Sequence, residues 1–383
     1  MSGSGVTAST FHDWLVEGRR LTVLDIRDRT AAERWRIEAP SLTYVHLPQT
    51  KVLAASVQDR LDELIDDHDM IEPIVVVCAR GEASAEVATT LAGQGIEAVN
   101  LTDGMRGWSE LLVARSVPST GTLVQFERPS SGCLSYLAVA GDDAAVVDPL
   151  DAFTDRYIRA ARERDATLRW AIDTHVHADH VSGVRTIARE TDATPALPAG
   201  AQARGLAFDA LRVEDGRELA VGDRHFLVLS APGHTSEHQI FRWGETIMTG
   251  DLLFLDGVGR PDLEADDTRL TAYARELYET LQETVLPLPE DLIVAPGHTR
   301  PGAQRHSNGA LVGTLGTVAT ELSLSKMSKE AFIDRVTEGL PERPANYERL
   351  IEINLGRETV DAETGRELEL GPNNCAVAMA ATE

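Results

Sequence analysis

His175, His177, Asp179 and His180 fall within six residues, in the run Thr174-His-Val-His-Ala-Asp-His-Val-Ser-Gly183, and three of the chain's eleven histidines are among them. Imidazole is the commonest metal ligand, and carboxylates complete sites for divalent metals. The run follows an apolar stretch, 168–172, which reads as a buried strand. Three later residues stand at similar junctions. His234 lies in Ala231-Pro-Gly-His-Thr235, Asp251 in Met248-Thr-Gly-Asp251, and His298 in Val294-Ala-Pro-Gly-His298. Each follows an apolar segment and sits beside glycine, where a rigid strand hands over to a loop and ligand geometry is best fixed. Arg260 and Asp262 follow Asp251 closely, in Gly259-Arg-Pro-Asp262.

A second reactive candidate is Cys78. It closes the continuous apolar run Ile74-Val-Val-Val77, the mark of a central parallel strand covered on both faces. The loop Ala79-Arg-Gly-Glu-Ala-Ser84 then leads into a helix over 85–92 that stops at Gly93. Free backbone N–H groups and the positive helix pole at that place stabilise a thiolate and favour nucleophilic attack on sulfur. Arg80 adds to the effect and Glu82 opposes it. The competing reading is a buried structural cysteine.

The elements that must position these residues change character along the chain. Residues 11–115 alternate strands with helices. Ser116-Val-Pro-Ser-Thr-Gly121 reads as a linker. Beyond it come the hairpin strands 133–139 and 144–148, a helix over 154–165, a helix ending at Glu190, and strands around 219–229, 239–243 and 246–248. Cys133, inside an apolar strand, reads as core. Layers of sheet covered by helices are expected. Residues 329–336 and 344–354 have helical spacing and read as an extension packed on the second domain, with residues 372–383 loosely held. The domains expected are 1–116, 122–310 and 311–383.

The N-terminal segment resembles a rhodanese (sulfurtransferase) domain in Leu24-Asp-Ile-Arg27, in Cys78-x-x-Gly81-x-x-Ser84 and in Asp103-Gly-Met-Arg-Gly-Trp108. The resemblance implies that Cys78 carries a persulfide sulfur cradled by the loop, with Arg80, Gly81 and Ser84 as its binding residues. Ala83, where many such loops carry arginine, and Glu82 depart from the pattern. Residues 122–310 resemble the metallo-β-lactamase superfamily, whose motif is present in order as His175-x-His177-x-Asp179-His180, then His234, Asp251 and His298. The fold class implied is α/β: a rhodanese-like parallel α/β domain, then an αββα sandwich with a C-terminal helical extension.

Two metal assignments compete for the same residues. Two zinc ions would use His175, His177 and His234 at one site, Asp179, His180 and His298 at the other, and Asp251 as the bridge, to activate water for hydrolysis. One iron(II) per chain would use His175, His234 and Asp251, with His177, Asp179, His180 and His298 orienting those ligands. The second domain is also similar to persulfide dioxygenases in 175–183 and in Gly259-Arg-Pro-Asp262, which implies that a low-molecular-weight thiol persulfide and O2 give sulfite and thiol. Val258 and Thr299-Arg300 stand where some relatives carry cysteine and tyrosine. Arg260 is a candidate for orienting substrate or supporting the site through Asp262, against a purely structural ion pair. The alternative is a two-zinc thioester hydrolase of the glyoxalase II type with a non-catalytic rhodanese-like docking domain. His12, His46, His68, His225, His238 and His306 fit no ligand pattern and read as surface or core.

Composition excludes several classes. The net charge is -25, and lysine occurs only at Lys51, Lys326 and Lys329, so the surface repels nucleic acid and anionic membranes. A G+C-rich coding sequence and a high-salt habitat both account for such a balance. Three separated cysteines exclude a disulfide framework. With neither a membrane span nor a basic-then-apolar N-terminus, a cytoplasmic location is expected. Association into homo-oligomers stays open.

Overall fold

The strand Ile74–Val77 shows why the first unit folds as it does. Its four side chains are completely buried, with Ile74 and Val76 in one apolar cluster and Val75 and Val77 in another. A strand buried on both faces belongs in a parallel sheet. The strand order is Gly5–Val6, Ala98–Leu101, Ile74–Val77, Leu21–Asp25, Leu42–His46, and every pairing is parallel. The computed structural model of the chain describes residues 5–118, 121–263, 269–324, 326–340, 342–344, 346–371 and 375–379. Two compact units comprise residues 1–113 with 128–132 and 300–302, and residues 114–127, 133–299 and 303–383.

The second unit is built on two sheets. One has seven strands in the order Leu211–Val213, Thr194–Pro198, Thr167–Ile172, Asp143–Val147, Cys133–Ala140, Thr122–Arg128, Val113–Ser116. The other has six, in the order Glu218–Val221, Arg224–Ser230, Gln239–Trp243, Thr246–Gly250, Ile293–Pro296, Gly313–Thr314. One core joins their inner faces, with Leu134, Tyr136 and Val147 from the first and Phe226, Phe241 and Trp243 from the second. The second sheet's outer face supplies Ile240, Ile247 and Val294 to another cluster, with Leu277, Val318 and Phe332 from the helices Leu270–Thr280, Leu315–Glu321 and Lys329–Thr337. The second unit is thus a sandwich of two sheets with helices at the C-terminus, and it follows a parallel α/β domain in the chain, as the sequence led us to expect.

Three local expectations are corrected. The helix after Cys78 spans Glu82–Gly93, three residues earlier than the composition suggested, because Gly81 takes a left-handed φ of 90° and caps it there. The stretch read as a linker begins inside a strand. Val113–Ser116 pairs at the sheet edge, where backbone donors otherwise lack partners, while residues 119–120 lie outside the described ones. The C-terminal stretch read as loose contains Ala376–Ala378, which pairs antiparallel with Gly257–Gly259. Cys375, Val377 and Met379 are buried, so apolar burial holds this segment; residues 372–374 and 380–383 lie outside the described ones. No helix among the described residues is long and apolar enough to cross a membrane.

Candidate metal centre and sulfur loop

The sheets deliver the candidate ligands to one edge. The strand Thr167–Ile172 leads into the 175–183 run, Arg224–Ser230 leads to His234, Thr246–Gly250 to Asp251, and Ile293–Pro296 to His298. The last two strands are parallel, with Gly250 opposite Pro296, so Asp251 and His298 emerge side by side. Two successive antiparallel pairings give the His234 strand the same direction as the Asp251 strand. Gly250 has φ 48°, and a Cβ there would lie 2.7 Å from both the His238 ring and the Thr174 hydroxyl. Only glycine fits that turn.

His175, His234 and Asp251 each offer a ligand atom within 4.8 Å of the others, and all three are buried. Asp251 Oδ2 lies 3.9 Å from His175 Nε2 and 3.6 Å from His234 Nε2. The opposite ring nitrogens are committed. His234 Nδ1–H donates to the Arg260 carbonyl at 2.8 Å. His175 Nδ1 meets Thr174 Oγ1 at 2.9 Å, and that hydroxyl donates to Asp148 Oδ2 at 3.0 Å. Burial, then the charges of His177, His234 and His238, pushes His175 well below its ordinary pKa, and burial outweighs Asp251 to lower His234. Both imidazoles are therefore neutral and keep an Nε2 lone pair. His234 Nε2 and Asp251 Oδ2 are buried without a hydrogen-bond partner, which costs free energy unless a cation takes them up. This donor set fits a divalent metal.

A second group adjoins it. Cys133, Asp179, His180 and His298 offer atoms within 4.8 Å of one another. Their polar atoms are largely joined together: His298 Nδ1 to Asp251 Oδ1 at 2.6 Å, His298 Nε2 to Asp179 Oδ2 at 2.9 Å, and His180 Nδ1 to Asp179 Oδ1 at 3.2 Å. Burial disfavours a charged His298, but Asp251 and Asp179 outweigh it and hold its pKa well above the ordinary value. His298 thus ties Asp251 to Asp179 through its two ring nitrogens. His177 packs against the rings of His175 and His180, with centroids 4.3 and 4.2 Å away; its Nε2 lies 3.1 Å from Asp148 Oδ1 and its Nδ1 is buried and unpartnered, as is His180 Nε2.

Several supporting residues escaped the sequence reading. His238 is buried and stacked on His175, and burial, then His234, lowers its pKa to about 4. Its neutral Nε2 accepts from the Asp251 amide at 3.1 Å. Glu237 accepts from the Val176 amide at 2.9 Å, between two of the histidines, and from Arg204 at 2.6 Å. Cys133 is buried as expected, yet its thiol lies 3.4 Å from Asp179 Oδ2. Cys375 is grouped with Asp251 and His298. The spacing of His234 and His238, four residues apart, was the one signal available. The others depend on long-range contacts.

Arg260 is buried and grips Asp262 with two bonds, Nε to Oδ1 at 2.6 Å and Nη2 to Oδ2 at 2.9 Å. Its backbone carbonyl, rather than its guanidinium, is what touches His234. Ser236 and Leu263, close in sequence to His234 and Asp262, help line a cavity of about 970 Å3 with Arg204, Tyr273, Arg343 and Tyr347.

In the first unit, Cys78 Sγ accepts from the Gly81 amide at 3.1 Å, the Ser84 amide at 3.4 Å and the Ser84 hydroxyl at 3.1 Å. Burial raises the thiol pKa, but the Ser84 hydroxyl and the amides of Ser84, Arg80 and Gly81 outweigh it and leave it below the ordinary value. The Arg80 and Glu82 side chains are exposed. The loop is built to hold negative charge on sulfur.

The metallo-beta-lactamase superfamily model matches residues 129–298, and the rhodanese-like domain model matches residues 7–111. The mitochondrial persulfide dioxygenase ETHE1 of Homo sapiens is 30% identical over 223 residues, 55% of this chain and 78% of that protein. A hydroxyacylglutathione hydrolase of Anaeromyxobacter dehalogenans is 35% identical over 170 residues, 43% of this chain, and the match spans only 60% of the hydrolase. The crystal structure of ETHE1 from Myxococcus xanthus aligns with TM-score 0.53 at 27% identity, over 61% of this chain and 98% of that one. The chain belongs to the metallo-beta-lactamase superfamily and carries a rhodanese-like domain before its metal-binding fold.

Proposed function

We propose that the chain oxidises a low-molecular-weight thiol persulfide with O2 to sulfite and thiol, using one iron(II) held by His175, His234 and Asp251. The observation that carries this reading is the separation of roles around Asp251. Its Oδ2 faces two neutral imidazoles, while its Oδ1 is taken by His298. Two imidazoles and one carboxylate on one face are the donor set of non-haem iron oxygenases. When bound, iron(II) there supplies the redox chemistry that lets dioxygen react with a sulfur nucleophile. The balance is persulfide anion, dioxygen and water giving thiolate, sulfite and two protons. The sulfane sulfur loses four electrons and dioxygen gains them.

The chain's own residues position and shield. His298 holds Asp251 from behind, Thr174 and Arg260 fix the two ring tautomers, and the whole set is buried. The Cys78 loop complements this chemistry, because a stabilised thiolate attacks the outer sulfur of a persulfide, taking that sulfur and releasing the carrier thiolate. The similarity to ETHE1 supports the same choice.

A second reading, a two-zinc thioester hydrolase, is favoured by the unpartnered Nδ1 of His177 and Nε2 of His180 and by the hydrolase relative. Anaerobic purification with metal and product analysis separates the two. One iron per chain and sulfite from glutathione persulfide are expected. Two zinc ions with hydrolysis of a glutathione thioester and no sulfite would overturn the proposal.

A further inference from the structure

The turn carrying His177, Asp179 and His180 has no regular secondary structure, yet it is buried. Its backbone donors and acceptors therefore need partners from elsewhere in the chain. Asn354 supplies three of them. Its Nδ2 donates to the His177 carbonyl at 2.9 Å and to the His180 carbonyl at 2.7 Å, and its Oδ1 accepts from the Ser182 amide at 2.9 Å. Glu369 adds a fourth, accepting from the Val181 amide at 2.9 Å. Asn354 ends the helix Tyr347–Asn354, which buries Leu350 and Ile353 against Val181 and Leu368.

The chemistry of these contacts is selective. Two carbonyls and one N–H require two donors and one acceptor on a short planar group, which only the side-chain amide of asparagine or glutamine carries. A carboxylate would face both carbonyls with no proton to give. The two carbonyls bracket Asp179, so their common anchor sets the span of the turn. His177 meets Asp148, and Asp179 meets His298, which in turn holds Asp251.

We propose that Asn354, assisted by Glu369, is a positioning residue of the metal centre, so that metal affinity and ligand geometry depend on the C-terminal extension. The inference rests on the metal-centre reading above. Full-length protein, wild type and Asn354→Leu, would be titrated anaerobically with Fe(II), and Co(II) would be substituted to record its visible ligand-field spectrum. Asn354→Leu should bind metal roughly 10- to 100-fold more weakly, as for loss of a residue that orients ligands, with altered Co(II) bands. Phe332→Leu, a core change among the helices behind the second sheet, should lower the melting temperature without changing affinity or spectrum. Should Asn354→Leu fail to fold, Asn354→Ser gives the same comparison. Wild-type affinity and spectrum in a folded Asn354 variant would overturn the inference, as would an equal loss in Phe332→Leu. Failure of the wild type to take up any metal would instead overturn the metal centre itself.

Discussion

Asp251 Oδ1 accepts a hydrogen bond from His298 Nδ1 at 2.6 Å, while its Oδ2 stays buried without a partner between His175 and His234. In the proposed one-iron site, Oδ1 would make a supporting contact and Oδ2 would serve as the ligand. That division makes the two halves of the histidine set separable by mutation.

His234→Ala and Asp251→Ala should each abolish metal retention, because each removes a ligand. His298→Ala should keep the metal with roughly 10- to 100-fold lower affinity. Metal content after anaerobic reconstitution and gel filtration is the readout. Equal loss in all three variants would point to a dinuclear site.

The Arg260–Asp262 pair is buried and doubly bonded, and Arg343 also donates to Asp262 Oδ2 at 3.3 Å, so loss of Arg260 leaves the carboxylate one weaker partner. Arg260→Ala should therefore cost less than the about 3–5 kcal/mol of a fully stranded buried charge, read as a lower denaturation midpoint. Arg260→Lys should recover little of it, since an ammonium cannot make the two-pronged contact. A Lys variant as stable as wild type would show that charge alone matters.

The loop amides and the Ser84 hydroxyl lower the Cys78 pKa. An acid whose pKa is depressed reaches its anionic form at lower pH, so Cys78 should react with iodoacetamide below the pH range of ordinary thiols. Ser84→Ala removes the strongest of these contacts and should shift the rate profile to higher pH. An unshifted profile would leave the amides alone in control.

Cys78 should gain one sulfur on treatment with glutathione persulfide, visible as a mass increase absent from Cys78→Ser. The variant should keep its oxygen uptake but lose thiosulfate formation from persulfide and sulfite, the thiosulfate arising when sulfite attacks the outer sulfur of the Cys78 persulfide. An unmodified wild-type Cys78 with thiosulfate output unchanged in the variant would make this a docking domain.

What could be read in the sequence depended on how local the signal was. The 175–183 run, His234, Asp251 and His298 were legible because each stands at a strand-to-turn junction marked by its own neighbours. Ile74–Val77 was legible for the same reason, since four consecutive apolar residues need covering on both faces. Asn354 and Glu369 were not, because their partners lie more than 170 residues away in the chain. Cys375 was missed likewise: pairing of 376–378 with 257–259 brings it to Asp251. His238 had a visible spacing from His234, but only the fold shows that it holds the Asp251 amide.

The central claim is tested most directly by an oxygen electrode. Iron-loaded protein given glutathione persulfide should consume one O2 for each sulfite formed, and Asp251→Ala should consume none. Absence of uptake by the iron-loaded wild type, together with rapid hydrolysis of a glutathione thioester, would contradict the dioxygenase reading.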